Sequence, residues 1–132
     1  MNHPRPQIVV IDDDEHVREA IRGLMRSTGF SAETFSSAAD FLRSSVLNSA
    51  ACLIVDINMP EVGGFDLYFK LKELGQMVPT IFITAYPTEG DRSRALDAGA
   101  ISYLGKPFGD AELLDGVRTA LASRSRSDQT EF

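Results

Sequence analysis

The fold is decided by the stretch IVVIDDD at residues 8–14, where four apolar residues are followed directly by three acids. The apolar half is β-branched throughout, which is typical of a strand buried on both faces of a sheet. The acids are too polar for that interior, so the strand is predicted to end at Ile11 with carboxylates at its carboxyl end. Adjacent carboxylates repel one another, and a divalent cation such as Mg²⁺ removes that cost.

Four further short strands are predicted along the chain, separated by segments with helical periodicity. These strands are residues 32–35, 52–55, 80–83 and 101–104. The first of them alternates polar and apolar residues as an edge strand does, and the next two are apolar almost throughout. Apolar residues at i, i+3, i+4 and i+7 predict helices between the strands. Five strand–helix units imply an α/β fold with one parallel sheet and helices on both faces.

Helix boundaries are marked by residues that favour caps and stops. Asp14 is expected to cap the first helix, Ser37 to open the second and Asp110 to cap the fifth. The fourth helix, predicted at residues 91–98, is short and weakly apolar. Glycine is common just after a helix end because it adopts a left-handed conformation easily. Such glycines follow three of the predicted helices, at Gly29, Gly75 and Gly99.

Composition excludes several classes of protein. The 132 residues suit one domain, and a net charge of -6 disfavours nucleic-acid binding, because phosphate backbones repel acidic surfaces. No apolar run approaches the roughly 18–20 residues that span a bilayer, and residues 1–6 lack a signal-peptide core. Cys52, the single cysteine, is expected to be buried, and its lack of a disulfide partner favours the cytoplasm. Residues 7–123 are predicted to form the domain, and residues 124–132 a polar tail or the start of a linker.

Polar residues with useful chemistry follow four of the five predicted strands. Asp12 and Asp13 follow the first strand, Asp56 the third, Thr84 the fourth and Lys106 the fifth. In a parallel sheet the carboxyl ends of the strands share one edge, and ligands bind there. A carboxylate can accept a phosphoryl group when a metal neutralises the charge, and an ammonium or hydroxyl can bind the phosphoryl oxygens. The sequence therefore predicts a metal-assisted phosphoryl site centred on Asp56.

Each of these residues also has an ordinary structural interpretation. Taken alone, Asp56 could equally form a turn, Lys106 could extend over the surface, and Thr84 could simply end a strand. The loop after Asp56 contains a proline and two adjacent glycines, and it favours a carboxylate held at a rim. Tyr103 is expected in the core or an interface, with an inward and an outward rotamer both open to its phenol.

Together these residues resemble the receiver domain of bacterial two-component response regulators, over about residues 8–122. The motifs that carry the resemblance are VIDDD at 10–14, DINMP at 56–60 with Gly64, ITA at 83–85 and KPF at 106–108. Each motif is weak alone, but four in this order are specific, and their wording is most similar to the FixJ-like branch. The resemblance implies a flavodoxin-like, doubly wound (βα)5 fold with strand order 2-1-3-4-5.

The resemblance implies a role for each residue of the site. Asp56 would accept a phosphoryl group from a sensor histidine kinase or a phosphotransfer protein, and Lys106 would pair with that group. The ligands of Mg²⁺, for which Mn²⁺ can substitute, would be Asp13, the Asp56 carboxylate and the backbone carbonyl of Asn58. Asp12 would assist through water.

The resemblance also implies a conformational switch. Thr84 would swing to hydrogen-bond the phosphoryl group, and Tyr103 would turn inward as Thr84 moves. The face formed by the fourth helix, fifth strand and fifth helix would change shape. A homodimer would form through that face or through the first and fifth helices. The Lys106-Pro107 bond would be cis. Asn58 and Tyr86 occupy two positions that tune phosphoryl lifetime. The bulky Tyr86 would shield the acyl phosphate from water, which predicts moderate to slow self-dephosphorylation.

The chain is therefore expected to be a signalling switch and not an enzyme, apart from self-dephosphorylation. Two versions stay open, a stand-alone regulator that docks on partners or the receiver of a longer DNA-binding transcriptional regulator. A hydrolase of the haloacid-dehalogenase type is a remote alternative, because it would need a second Asp where this chain has Asn58. Surface residues of the first helix, such as Arg18 and Arg22, are expected to help select the kinase.

Overall fold

The computed structural model describes residues 7–129, and it describes side chains for residues 7–123. The elements in this range are β1 (Gln7–Ile11), α1 (Glu15–Ser27), β2 (Ser31–Phe35), α2 (Ala38–Leu42), a 3-10 helix (Ser45–Ser49), β3 (Ala50–Asp56), α3 (Gly64–Glu73), β4 (Thr80–Thr84), α4 (Glu89–Asp97), β5 (Ser102–Gly105) and α5 (Asp110–Gln129). Residues 1–6, where no signal-peptide core is expected, and residues 130–132 of the predicted tail lie outside the described range. The domain boundary after residue 123 stays a prediction, and α5 continues past it. None of the described helices has the length and apolarity to cross a membrane.

The five strands form one parallel sheet in the order β2-β1-β3-β4-β5, which confirms the predicted flavodoxin-like fold and its strand order. The strand predicted at an edge, β2, lies at one. β1 and β3 are neighbours with Ile11 opposite Val55, so the residues that follow these two strands emerge side by side. β4 lies beside β3, and β5 lies beside β4 with Gly105 opposite Thr84. This register brings the carboxyl ends of β1, β3, β4 and β5 to one edge.

The central strands are apolar throughout because helices cover both faces of the sheet. In β1, Val9 and Ile11 pack into one core cluster with α2, α3 and α4, and Ile8 and Val10 pack into a second cluster with α1 and α5. All four side chains are fully buried, and each such burial contributes about 1.5–3 kcal/mol. Cys52 is buried in the second cluster as predicted. Burial raises the pKa of its thiol to about 12, which leaves it unreactive.

Most helix boundaries follow the predicted caps. Asp14 accepts the His16 N–H at 2.8 Å at the start of α1, and Ser37 accepts the Asp40 N–H at 3.2 Å before α2. The glycines that follow α1, α3 and α4 have positive φ angles, a conformation that glycine adopts without steric cost. They are Gly29 at 88°, Gly75 at 73° and Gly99 at 101°.

Two helix starts differ from the prediction. α4 begins at Glu89 because the Thr88 hydroxyl accepts the Asp91 N–H at 3.1 Å and caps the helix there. The prediction that Asp110 caps α5 is wrong, because Asp110 is already the first helical residue. Gly109 precedes it, and the Gly109 carbonyl accepts the first helical hydrogen bond of α5. Both shifts are small, because neighbouring polar residues compete for the same cap position.

We predict opposite effects of an added methyl group at two glycines. A Cβ on Gly64 would lie 2.8 Å from the Asp56 carbonyl oxygen and 3.2 Å from Ile57 Cα, and backbone atoms cannot easily move aside. A Cβ on Gly23, within α1, would meet nothing within 4 Å. Gly64→Ala should lower the free energy of unfolding by about 1–3 kcal/mol, and Gly23→Ala should raise it by about 0.5–1 kcal/mol. Urea denaturation measures both changes, and equal effects would contradict the steric account.

Candidate functional site

Three carboxylates from two neighbouring strands converge at the carboxyl edge of the sheet. Asp12, Asp13 and Asp56 each offer an oxygen, and these oxygens lie within 4.8 Å of one another. Asp12 and Asp56 are buried, whereas Asp13 is exposed, so the cluster opens to solvent on the Asp13 side. Mg²⁺ prefers hard oxygen donors and keeps several waters, so it needs few protein ligands. The residues present therefore fit the predicted metal.

Asp12 is fully buried, and both of its oxygens are paired. Its Oδ1 accepts the N–H of Asp14 at 2.8 Å, and its Oδ2 accepts Lys106 Nζ at 2.8 Å. Burial raises the pKa of the Asp12 carboxyl, and the two hydrogen bonds offset only part of that rise. The charge of Asp56 raises the pKa further. Burial of the Asp12 carboxylate thus carries an electrostatic cost, which the ammonium of Lys106 reduces.

Lys106 bridges two of the carboxylates. Its Nζ lies 2.8 Å from Asp12 Oδ2 and 3.3 Å from Asp56 Oδ2, and its side chain is 19% exposed, unlike a freely solvated surface lysine. Burial lowers the pKa of Lys106, but hydrogen bonds and charges from Asp12 and Asp56 outweigh burial and raise it. The backbone is fixed as well, because the Lys106 N–H donates to the Thr84 carbonyl at 2.7 Å. The Lys106–Pro107 bond is cis, as the resemblance implies.

Asp56 is held in one orientation by a bond to each of its oxygens. It is 4% exposed, its Oδ1 accepts the Asn58 N–H at 2.9 Å, and its Oδ2 faces Lys106. The loop that follows folds back on itself, with the Gly64 N–H donating to the Ile57 carbonyl at 3.3 Å. The absence of a side chain on Gly64 permits this approach. The predicted acceptor is therefore the last residue of β3, and a tightly folded loop follows it at the edge of the sheet.

The two predicted switch residues are both buried near this edge. Thr84 Oγ1 accepts the Asn58 Nδ2–H at 2.8 Å and the Tyr86 N–H at 3.0 Å. Tyr103 is 6% exposed, and its hydroxyl accepts the N–H of Thr88, the residue that caps α4, at 3.0 Å. Of the two rotamers open to the phenol, the buried one is present. Thr84 thus contacts the loop of the acceptor, and Tyr103 contacts the start of α4.

Two contacts of the site are missed by the sequence prediction. The prediction gives Asn58 a metal-binding carbonyl and an influence on phosphoryl lifetime, but it misses the bond that the side chain donates to Thr84, 26 residues away. Arg18, predicted to face a partner, is partly buried, and its Nη1 donates to the Asp12 carbonyl at 2.7 Å. No pattern in the neighbouring sequence indicates the bond from Asn58 to Thr84. The bond from Arg18 to the Asp12 carbonyl depends on one rotamer of the arginine side chain. The Tyr86 ring is 76% exposed, and its shielding role stays a prediction.

The arrangement combines a carboxylate nucleophile with a cation, a hydroxyl and a metal-binding cluster. An acyl phosphate can form on a carboxylate when the charge of the incoming group is neutralised. Lys106 supplies one positive charge beside Asp56, and the acidic cluster suits a divalent cation. Thr84 places a hydroxyl on the adjacent strand. The geometry therefore permits phosphoryl transfer to Asp56.

Comparison with known proteins gives one consistent family. Residues 8–118 match the family model described as the response regulator receiver domain. Response regulator protein TodT of Pseudomonas putida is 43% identical over 123 residues, which cover 92% of this chain and 54% of TodT. Transcriptional regulatory protein TdiR of Thauera aromatica is 35% identical over 123 residues, again 92% of this chain and 54% of the relative. The chain thus spans about half the length of these curated relatives. The crystal structure of FixJ-N is 26% identical and superposes with a TM-score of 0.79, covering 91% of this chain and 96% of FixJ-N.

We predict that loss of Lys106 destabilises the protein in a pH-dependent way. In Lys106→Ala, Asp12 keeps a buried carboxylate without its cation, so its folded-state pKa rises further above the unfolded value. A raised folded-state pKa gives stability that is present at low pH and is lost as the pH rises through that pKa. The loss should be about 1–3 kcal/mol at neutral pH and clearly smaller in mild acid.

Urea denaturation at the two pH values measures this difference. Lys72→Ala, which removes an exposed lysine of α3, is the matched control and should show no such pH dependence. An equal loss at both pH values in Lys106→Ala would mean that the ammonium does not hold the buried carboxylate.

Proposed function

This chain belongs to the response regulator receiver domain family, and on that premise we propose that Asp56 is its phosphoryl acceptor. Receiver domains are signalling modules rather than enzymes, and phosphorylation activates them. One observation carries the assignment of the acceptor, namely that Lys106 Nζ bridges the buried carboxylates of Asp12 and Asp56 within an acidic cluster. The three carboxylates repel one another, and a single ammonium does not balance their charge. A purely stabilising role therefore does not account for the cluster.

The phosphoryl donor is a phosphorylated histidine of a sensor kinase or of a phosphotransfer protein. In the transfer, a carboxylate oxygen of Asp56 attacks the phosphorus, so that a P–O bond forms and the P–N bond to the donor histidine breaks. The electron pair of the broken bond stays on the imidazole nitrogen, which takes up a proton. The ammonium of Lys106 then pairs with a phosphoryl oxygen, because it already lies 3.3 Å from Asp56 Oδ2.

The metal ligands in this proposal are Asp13, the carboxylate of Asp56 and the backbone carbonyl of Asn58. Mg²⁺, or Mn²⁺ in its place, neutralises the phosphoryl oxygens and the clustered carboxylates when bound. Asp12 assists through water, which agrees with the engagement of both its oxygens by Asp14 and Lys106. The exposed position of Asp13 leaves room for the waters that Mg²⁺ retains.

In this proposal, phosphorylation shifts an equilibrium between two conformations of the region around Thr84, Tyr103 and the start of α4. The new group brings a charge of about -1.5 to -2 and several acceptor oxygens, and Thr84 donates to one of them. Tyr103 is buried beside this strand end and holds the N–H of Thr88 at the start of α4. A coupling of about 1–3 kcal/mol changes partner affinity roughly 5- to 150-fold. The face of α4, β5 and α5 is the surface that reports the change.

A groove beside Lys106 supports docking of the phosphoryl donor at this edge. The cavity has a volume of about 400 Å³ and lies between α1 and the loop that precedes α5. Its lining is mainly apolar, with Val17 and Leu24 on one side and Pro107 and Phe108 on the other. Exposed apolar surface next to a reactive site is typical of a protein contact.

The output in this proposal is transcriptional, through a DNA-binding domain of a longer protein. The chain spans about half the length of TodT and TdiR, and TdiR is a transcriptional regulatory protein. A stand-alone regulator stays the alternative. A homodimer through α4, β5 and α5 or through α1 and α5, and a cytoplasmic location, stay predictions. The hydrolase alternative gains no support, because Asn58 donates an amide N–H to Thr84 and carries no acid.

Incubation with Mg²⁺ and acetyl phosphate should add one phosphoryl group to the protein, detected by intact mass. Asp56→Asn should abolish the adduct, because a carboxamide cannot form the acyl phosphate. Asp97→Asn, which changes an exposed acid of α4, is the matched control and should be labelled like the wild type. An unlabelled wild type, or a labelled Asp56→Asn, would contradict the assignment of Asp56 as the phosphoryl acceptor.

Asp13→Asn should weaken Mg²⁺ binding at least about tenfold, since loss of a mere outer partner of a metal ligand already costs that much. Without metal, the same change should slightly raise the free energy of unfolding, because it removes one of three like charges within 4.8 Å. Isothermal titration calorimetry measures the affinity, and urea denaturation measures the stability. Undiminished Mg²⁺ affinity would remove Asp13 from the ligand set.

A further inference from the structure

Asn58 is bonded to both the acceptor and the switch threonine. Its backbone N–H donates to Asp56 Oδ1 at 2.9 Å, and its side-chain Nδ2–H donates to Thr84 Oγ1 at 2.8 Å. One residue therefore spans the gap between β3 and β4 at the carboxyl edge of the sheet. The two bonds leave from different parts of Asn58, so the side-chain bond can be removed while the backbone bond stays.

The hydroxyl of Thr84 has an unusual balance of hydrogen bonds. A hydroxyl offers two acceptor lone pairs and one proton. Both lone pairs are occupied, by Asn58 Nδ2–H and by the Tyr86 N–H at 3.0 Å. Within the described part of the chain, Thr84 donates no hydrogen bond, although it is fully buried. Its proton therefore has no acceptor among the described residues and is available to a new one.

We propose that Asn58 is a positioning residue that sets the hydroxyl of Thr84 to donate to the group on Asp56. The inference rests on the proposed function, since it takes the acyl phosphate of Asp56 as the acceptor. If the Tyr86 N–H were its only partner, the Thr84 hydroxyl could rotate. It could then present either its second lone pair or its proton at the position that Asn58 Nδ2 occupies. The amide of Asn58 fills that position with a donor, and the proton is left with one direction.

Asn58 also links the chemical state of Asp56 to the switch residue Thr84, because it is hydrogen-bonded to both. Its N–H now donates to a charged carboxylate, and charge-assisted bonds are the stronger ones. Formation of the acyl phosphate removes the charge from the carboxyl group, which weakens the bond between Asn58 N–H and Asp56 Oδ1. Asn58 therefore changes its backbone contact at the moment when Thr84 gains an acceptor.

Asn58 is exposed, so no apolar packing depends on its side chain. Substitutions at this position should therefore leave the fold intact. Two substitutions distinguish the direction of the hydrogen bond between Asn58 and Thr84 from its presence. Asn58→Ala removes the donor, whereas Asn58→Asp replaces it with an acceptor of the same shape, which would capture the proton of Thr84.

The experiment phosphorylates each variant with acetyl phosphate and Mg²⁺, and it measures occupancy by intact mass. The switch is read at the amide resonance of Thr88 by NMR, because that N–H donates to the Tyr103 hydroxyl. At equal occupancy, the phosphorylation-induced shift of this resonance should fall about threefold to tenfold in Asn58→Ala. It should fall further in Asn58→Asp. In a Thr84→Val background, Asn58→Ala should have no additional effect, since its target is gone.

Three results would overturn the inference. They are an unchanged Thr88 response in Asn58→Ala, a milder effect of Asn58→Asp than of Asn58→Ala, and additive effects of Asn58→Ala and Thr84→Val. A wild type that takes up no phosphoryl group would overturn the proposed function and this inference together. A wild type that is labelled and responds, with an unaffected Asn58→Ala, would overturn this inference alone.

Discussion

The charge balance among Asp12, Lys106 and Asp56 is the constraint on which the rest of the structure depends. A buried carboxylate is tolerated only when it is paired, and here one ammonium serves two of them. That arrangement requires β1, β3 and β5 to end at the same edge, although β5 is two strands away from β3. With Asp13 included, three carboxylates face one ammonium, so the cluster keeps a net negative charge. This deficit of positive charge makes the cluster chemically suited to a divalent cation.

The helix α4 is the element best suited to respond to changes at this site. Within the described part of the chain it buries a single side chain, Ala95, so apolar burial contributes little to its position. Polar contacts hold it instead. The guanidinium of Arg94 lies 4.2 Å from the centre of the Phe65 ring, and the Tyr68 hydroxyl donates to the Ala98 carbonyl at 2.8 Å. Each contact contributes about 1 kcal/mol, which is comparable to the coupling that a phosphoryl group supplies.

The predictions that hold are those for which the pattern is local. The central strands are recognised because burial on both faces forces them to be apolar throughout, and Gly29, Gly75 and Gly99 mark helix ends through their positive φ angles. The errors at Asp110 and at the start of α4 concern which of several neighbouring polar residues caps a helix. Such choices differ by less than about 1 kcal/mol, so tertiary surroundings decide them. The weakly apolar pattern predicted for α4 agrees with its burial, because Ala95 is the one residue that this helix buries in the described part of the chain.

The sequence by itself determined the fold class and the residues that carry the chemistry, because strand patterns and polar strand ends are written locally. It also placed Asp12, Asp13 and Asp56 at one edge once a family resemblance had supplied the strand order. Only the tertiary structure decided the partners of each side chain, such as the choice of Lys106 between two carboxylates and the bond from Asn58 to its threonine. The physical reason is distance along the chain. These contacts join residues 26 to 94 positions apart, and strand register and side-chain rotamers set them.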